Sequence, residues 1–453
     1  MESINPATGE IINRYMPHSP SDVDNIINLV DTSYKNWKAT TFTTRAGFMK
    51  ELAGLLRSRS RELGLIISLE MGKVHREAVA EVEKCAWVCD YFAEMAEKFL
   101  QREYISTEAS QSFVSFQPIG AILAVMPWNF PFWQVFRFAA PTLMAGNTAV
   151  LKHASNVPGC ALAIEGLFKE AGFPENVFRT LLIGGSQVDR VIRNPVIKAV
   201  TLTGSTPAGK AVATSAGSVL KKCVLELGGS DPYIILADAE LEEAAEICAK
   251  ARLMNAGQSC IAAKRFIVVE KVYPEFEQRF VKAMGKAVYG DPFSAETTIG
   301  SMARTDLRDE LHEQVVRSVE LGAQVVIGGE IPGGVGAFYP PTVLRNVKQG
   351  MPAWHEELFG PVAALIRVKD EQEALEVANG TNFGLGGAIF TSNREHGRKL
   401  AEFDLEAGCC FVNDFVKSDP RLPFGGIKES GFGRELSSFG IREFVNSKTV
   451  VVK

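Results

Sequence analysis

Apolar residues early in the chain recur at helical spacing. Val23, Ile26, Ile27 and Val30 fall on one face, and charged periodic segments continue through Met71. The pattern predicts an all-helical opening section from about Asp22 to Leu100. Beyond Ile119 the period shortens. The aliphatic or β-branched runs Ala121 to Val125, Thr148 to Leu151, Phe178 to Ile183, Ala199 to Leu202 and Cys223 to Leu227 alternate with helical segments. That alternation predicts an α/β fold with a parallel, doubly wound sheet, which takes ligands at the carboxyl ends of its strands. A second α/β stretch follows: helix from about Leu241 to Asn255, strand near Phe266 to Val269, helix from Tyr273 to Ala287, and further units to about Phe411. Gly328-Gly329, Pro332-Gly333-Gly334 and Pro340-Pro341 mark turns. Tyr104 to Gln117 alternates Thr, Ser and aromatic residues, and the tail from Glu443 to Lys453 ends in a valine run. These two strand-like pieces are expected to pair with each other or with another subunit.

Composition narrows the class. With 453 residues, 46% of them apolar, the chain can fill two or three cores. Its 48 basic and 53 acidic residues give a net charge of -5 with no long single-sign run, so nucleic acid and anionic membrane are poor partner expectations. Met1 to Pro6 lacks a basic and an apolar leader region, and no later run matches a bilayer span; a cytoplasmic protein is expected. The eight cysteines, at 85, 89, 160, 223, 248, 260, 409 and 410, show no zinc-ligand spacing, so reduced thiols and no metal are expected.

Four short stretches carry candidate chemistry. Asn255-Ala256-Gly257-Gln258-Ser259-Cys260 presents a thiol in a glycine-containing loop between a helix and an apolar strand, where it can face a cleft. Val224-Leu225-Glu226-Leu227-Gly228-Gly229 embeds a carboxylate at a strand end; burial would raise its pKa toward what a general base for water needs. Alternatively, Glu226 is a buried carboxylate held by amides or an arginine. Pro127-Trp128-Asn129-Phe130-Pro131 follows a strand and fixes an amide between two prolines, suited to an oxyanion or simply to a turn. Thr203-Gly204-Ser205-Thr206-Pro207 joins a strand to a helix whose first amides suit a phosphate, although it lacks the usual dinucleotide glycine pattern.

In this order the stretches resemble the aldehyde dehydrogenase superfamily. The resemblance runs from Asn5-Pro6-Ala7-Thr8-Gly9-Glu10 nearly to Lys453 and includes PWNFPFW from Pro127, GNTAVLKHAS from Gly146, LTGS from Leu202, LELGG from Leu225, GQSC from Gly257, EELFGPV from Glu356 and PFGGIKESGFGRE from Pro423. It implies a nucleotide-binding domain over residues 1–102 and 119–227, a catalytic domain over 228–432, and bridging strands over 103–118 and 433–453 used in a homodimer or homotetramer. It also implies that Cys260 is the nucleophile, Glu226 the base, and Asn129 with the Cys260 amide the oxyanion hole. Trp128, Lys152, Ser155, Gly204, Ser205, Glu357 and Phe359 would bind cofactor, Lys152 reaching the adenosine ribose and Glu357 the nicotinamide ribose.

Two further readings depend on single residues. Many NAD-preferring relatives carry a Glu at the position of Ser155; serine removes its repulsion of a 2′-phosphate, so NADP is the expected cofactor, with NAD as the alternative. Arg137, set among Phe132, Trp133, Phe136 and Phe138, needs an anionic partner if buried. That partner is either the substrate or a protein carboxylate. The segment resembles succinate-semialdehyde dehydrogenases, so a short ω-carboxy aldehyde, succinate semialdehyde first, is the expected substrate, with Arg137, Trp133 and Ser259 contacting it and the Lys417-Ser418-Asp419-Pro420-Arg421 loop as an additional contact. Oxidation of another short aldehyde, transfer of the acyl group to coenzyme A, and thiol-dependent ester hydrolysis are the competing activities. The presence of Glu226 argues against the second.

Overall fold

The computed structural model describes residues 1–453. The opening section is helical as its periodicity predicts, with helices Pro20–Trp37, Phe42–Ser58, Ser60–Met71 and His75–Phe99. The first starts at Ser19, whose hydroxyl accepts from the Asp22 amide while Asp22 returns the bond to Ser19, so two otherwise orphaned N–H groups are satisfied. A small antiparallel hairpin, β1 (Glu2–Ile4) and β2 (Ile11–Arg14), precedes them.

After β3 (Glu103–Tyr104) and β4 (Gln111–Pro118), the chain builds the predicted parallel sheet from β5 (Ala121–Met126), β6 (Thr148–His153), β7 (Phe178–Thr180), β8 (Ile197–Thr203) and β9 (Lys222–Glu226). Spatial order is β9-β8-β5-β6-β7, with β5 pairing in parallel to both β6 and β8. The order reverses between β5 and β8, which opens a crevice at their carboxyl ends. The strands read as continuous apolar runs because helices cover both faces: Leu123, Val150 and Val200 have no exposure. Truncating Leu123 to Ala would cost about 2–5 kcal/mol.

The second sheet comprises β10 (Asp231–Ile235), β11 (Ala263–Val269), β12 (Gln324–Ile327), β13 (Thr342–Arg345), β14 (Val362–Val368), β15 (Gly386–Phe390) and β16 (Cys409–Val412), in the order β12-β13-β14-β11-β10-β15-β16. All of its pairings are parallel except β12 with β13. Then β17 (Gly431–Phe432) returns to the first sheet and adds antiparallel to β9. Finally β18 (Val445–Val452) pairs with β4 along eight residues, so the two strand-like pieces noted in sequence join within one chain. No helix is long and apolar enough to cross a membrane.

Two helix limits differ from the periodic pattern. The helix expected to reach Asn255 ends at Leu253, and Asn255 and Ala256 adopt left-handed backbone with φ of 53° each. The helix that starts at Tyr273 stops at Gly285 rather than Ala287. In both cases apolar spacing continues past the point where the backbone turns.

Candidate active site

The thiol loop is held from several directions. Left-handed backbone at a residue with a Cβ costs on the order of 1 kcal/mol, and here it is fixed by specific bonds. The Asn255 amide donates to Glu77 at 3.1 Å, Gln258 Nε2 donates to the Asn255 carbonyl at 3.1 Å, and the Ala303 amide donates to Gln258 Oε1 at 2.8 Å. Gly257 completes the turn at φ 73°, and a Cβ there would lie 2.3 Å from the Gly360 carbonyl oxygen, so only glycine fits. Lys264 Nζ then donates to the carbonyls of Ser259 (2.9 Å) and Cys260 (2.6 Å). The Cys260 amide is left without an acceptor in the protein.

Cys260 keeps some exposure. Burial pushes its thiol up to about 12, with Arg137 and Lys264 pulling the other way and Glu357 and Glu226 adding to the rise. A thiol in that state rests protonated and becomes a nucleophile only as its proton leaves.

Asn129 follows β5 and is 4% exposed. Its Nδ2 donates to the Gln258 carbonyl at 3.1 Å, an acceptor that fixes which way the amide points and leaves its second N–H uncommitted. The Asn129 carbonyl is gripped by Lys73 Nζ at 3.0 Å and Asn255 Nδ2 at 2.8 Å. Lys73 is ion-paired to Glu81, both side chains at most 2% exposed. The other Glu81 oxygen accepts from the amides of Phe132 (2.9 Å) and Trp133 (3.0 Å), where the buried helix Trp133–Met144 begins. One carboxylate therefore caps the helix that carries Arg137 and anchors the lysine that holds Asn129.

Glu226 ends β9 with 1% exposure, and neither carboxyl oxygen has a hydrogen-bond partner. Burial raises its pKa well above the usual range, the negative charge of Glu435 raises it further, and Arg137 and Arg434 oppose the rise. A Cβ at Gly425 would sit 2.7 Å from Glu226 Oε1. The two glycines behind Glu226 are required by close approach: a Cβ on Gly228 would meet Glu357 Oε2 at 2.5 Å, and one on Gly229 the Cys260 carbonyl at 2.8 Å.

Of the residues singled out for cofactor, Trp128, Lys152, Ser155, Gly204 and Ser205 stand at the carboxyl ends of the first sheet, and Glu357 and Phe359 reach them from the segment before β14. Lys152 is the penultimate residue of β6, largely buried, with no hydrogen bond or ion pair in the protein, and burial lowers its pKa. Ser155 is exposed two residues past the strand. Ser205 is the N-cap of helix Thr206–Ser218, with no side-chain cap, so the first-turn amides face outward. Gly209 allows that helix to press on Leu227, 2.5 Å from where a Cβ would stand. Glu357 accepts from the Gly229 amide at 3.0 Å and pairs with Lys264 at 3.3 Å, while Phe359 meets Trp128 edge-on at 5.8 Å. An unpartnered buried ammonium, a bare helix N-terminus and an aromatic pair at one sheet edge fit the ribose, phosphate and nicotinamide parts of a dinucleotide.

Of the two partners open to Arg137 in the sequence, the structure supplies the protein carboxylate. The counter-charge of Arg137 comes from Glu435, an ion pair with side chains 2% and 6% exposed. The guanidinium also donates to Thr203 Oγ1 at 3.3 Å and lies 4.8 Å from the Phe424 ring. Trp133 is buried, and Ser259 engages Lys264 through its carbonyl. Sequence reasoning missed Lys73, Glu81, Lys264 and Glu435. Of these only Glu435 lay in a stretch already singled out, at the end of PFGGIKESGFGRE.

A thiol, an amide donor bonded to the thiol loop and an unpartnered carboxyl are gathered beside a nucleotide-type sheet. The chain belongs to the aldehyde dehydrogenase family, whose model matches residues 1–450. It is 49% identical over 448 residues to a probable succinate-semialdehyde dehydrogenase [NADP(+)] of Synechocystis sp., covering 99% of this chain and 98% of that one. It is 47% identical over 448 residues to the succinate semialdehyde dehydrogenase [NAD(P)+] Sad of Escherichia coli K12, covering 99% and 97%. Among solved structures, the succinic semialdehyde dehydrogenase of Streptococcus pyogenes in complex with NADP+ superposes with a TM-score of 0.97 at 38% identity, covering 100% of this chain and 99% of that one.

Proposed function

We propose that this chain oxidises succinate semialdehyde to succinate with NADP as the preferred acceptor and NAD as a weaker one. The observation that carries this reading is that the Asn129 amide bonds the Cys260 loop at Gln258, while the unpartnered Glu226 carboxyl precedes by three residues Gly229, whose backbone presses on the Cys260 carbonyl. The substrate and cofactor follow the names of full-length relatives at 47–49% identity.

In the proposed reaction Cys260 is the nucleophile: its proton passes to solvent as sulfur bonds to the aldehyde carbon. The resulting oxyanion takes hydrogen bonds from the free Asn129 N–H and the Cys260 amide. The bound nicotinamide supplies a hydride acceptor for that carbon. What remains on Cys260 is a thioester. Glu226, once ionised, takes a proton from water; the water oxygen bonds to the acyl carbon, the carbon–sulfur bond breaks, succinate departs, and Glu226 returns the proton to the Cys260 thiolate. Lys152, Ser155, Gly204 and Ser205 hold the adenosine end, and Trp128, Glu357 and Phe359 hold the nicotinamide end. Trp133 and Ser259 line the substrate passage, and Arg137 supplies positive field beside the thiol.

The chain divides, in this reading, into a nucleotide-binding domain (1–102 and 119–227), a catalytic domain (228–432) and bridging strands (103–118 and 433–453). The parallel sheet of β5 to β9, the second sheet of β10 to β16 and the three-stranded β18-β4-β3 sheet support that division. The edge strand β18, with Val451 59% exposed, supports assembly into a homodimer or homotetramer, which in this reading works in the cytoplasm. The test is NADPH formation by purified protein given succinate semialdehyde or butanal. The expected result is a kcat/KM for succinate semialdehyde at least about tenfold higher; equal values would overturn the substrate.

A further inference from the structure

Lys264 is the second residue of β11 and is 1% exposed. Successive strand residues point to opposite sides, and its neighbour Arg265 turns away, onto the carbonyls of Ser230, Val377 and Ala378. Lys264 turns back on the thiol loop. Its three N–H groups meet three acceptors: the Ser259 carbonyl at 2.9 Å, the Cys260 carbonyl at 2.6 Å and Glu357 Oε1 at 3.3 Å. Burying an ammonium is costly, and here every hydrogen and a facing carboxylate offset that cost.

Two of those bonds act on the backbone around the thiol. The Ser259 carbonyl and the Cys260 N–H are the two ends of one planar peptide group, so whatever fixes the carbonyl also fixes the N–H, which points the opposite way. The carbonyl accepts twice, from the Ala262 amide at 3.1 Å and from Lys264. The N–H has no acceptor in the protein. A cationic donor on a peptide oxygen draws electron density from the nitrogen end and strengthens the N–H as a donor. The bond to the Cys260 carbonyl holds the next peptide, on the other side of the thiol-bearing Cα. That carbonyl lies against Gly229, where a Cβ would stand 2.8 Å away, so the ammonium sits where the thiol loop meets the turn after Glu226.

We propose that Lys264 is a positioning residue of the oxyanion hole: through the Ser259 carbonyl it orients and polarises the peptide whose Cys260 N–H meets the substrate oxyanion. Lys264 takes this role within the thioester reading above and acts through the backbone. Its third bond has a separate effect. Oε1 of Glu357 is committed to Lys264 and the Gly229 amide, which leaves Oε2 without a protein partner.

The experiment separates steps that form an oxyanion from one that does not. An oxyanion forms when water adds to the thioester, whereas alkylation of Cys260 by iodoacetamide displaces iodide without forming one. The background is Glu226→Gln, in which the thioester should persist long enough to follow after NADP and succinate semialdehyde are added and then removed. Adding Lys264→Met should slow loss of the succinyl group from the Cys260 peptide, read by mass spectrometry, about 10- to 100-fold. That is less than outright removal of an oxyanion donor, because the N–H remains but is weaker and less fixed. Thiol ionisation and hydride transfer precede this step and do not enter its rate. Iodoacetamide alkylation of the same peptide should slow by a far smaller factor. Lys264→Gln keeps a neutral donor on a shorter chain; it should slow the loss about 3- to 10-fold and replaces the methionine variant if that one does not fold. Unchanged clearance of the succinyl group, or alkylation slowed as much as clearance, would overturn the role of Lys264, the second result marking a displaced loop. Absence of any succinyl group on Cys260 in Glu226→Gln itself would overturn the thioester reading and Lys264 with it.

Discussion

Arg137 and Glu435 form an ion pair through guanidinium Nε and carboxylate Oε2 in the protein interior, beside the Glu226 carboxyl whose pKa Glu435 raises and Arg137 lowers. Removing one partner of a buried pair leaves an uncompensated charge, typically costing about 3–5 kcal/mol. Arg137→Met should therefore lower thermal stability and reduce kcat/KM for succinate semialdehyde and butanal alike. Arg137→Met with Glu435→Gln should recover part of the stability, because both charges are then gone. A selective loss on succinate semialdehyde, at unchanged melting temperature, would return the substrate carboxylate to Arg137.

Ser155, exposed beyond β6 near the unpartnered Lys152, gives a cofactor prediction. Ser155→Glu would place a carboxylate against the 2′-phosphate, and like-charge contacts cost several kcal/mol. The NADP kcat/KM should drop about 100-fold while that for NAD holds or rises. Steady-state kinetics with both cofactors checks it, and an unchanged ratio would remove Ser155 from the phosphate site.

The Lys73–Glu81 pair holds the Asn129 carbonyl and caps the Arg137 helix, so it should act on rate through the oxyanion donor. Lys73→Met should reduce kcat about 10- to 100-fold with little change in KM, since misplacement by a fraction of an ångström weakens transition-state bonds more than substrate binding. Lys73→Arg should restore part of the rate. A loss confined to stability, with kcat intact in the folded fraction, would count against the positioning role.

Local chemistry made part of this site legible in the sequence. Cys260, Asn129 and Glu226 each sit in a stretch with its own signature: a glycine loop, a proline-flanked amide, and a carboxylate closing an apolar run before two glycines. Strand spacing exposed the parallel sheet for the same reason, since both its faces are buried. What stayed hidden depends on distant partners. Helical periodicity places Glu81 on a face but cannot say that it meets Phe132. Arg137 illustrates the limit: its need for an anion was readable, but the partner lies at Glu435, almost 300 residues on. The return of Gly431–Phe432 to the first sheet, two residues long, carried no pattern at all.

The central claim is a thioester on Cys260 that only the Glu226 step can clear. In Glu226→Gln, carbon–sulfur bond formation and hydride loss remain while water activation does not. Mixing this variant with NADP and succinate semialdehyde should give a burst of one NADPH per site, then slow turnover. Mass spectrometry of the quenched protein should find a succinyl group on the Cys260 peptide. An NADPH burst with the Cys260 peptide unmodified, or a succinyl group on any other residue, would contradict the account.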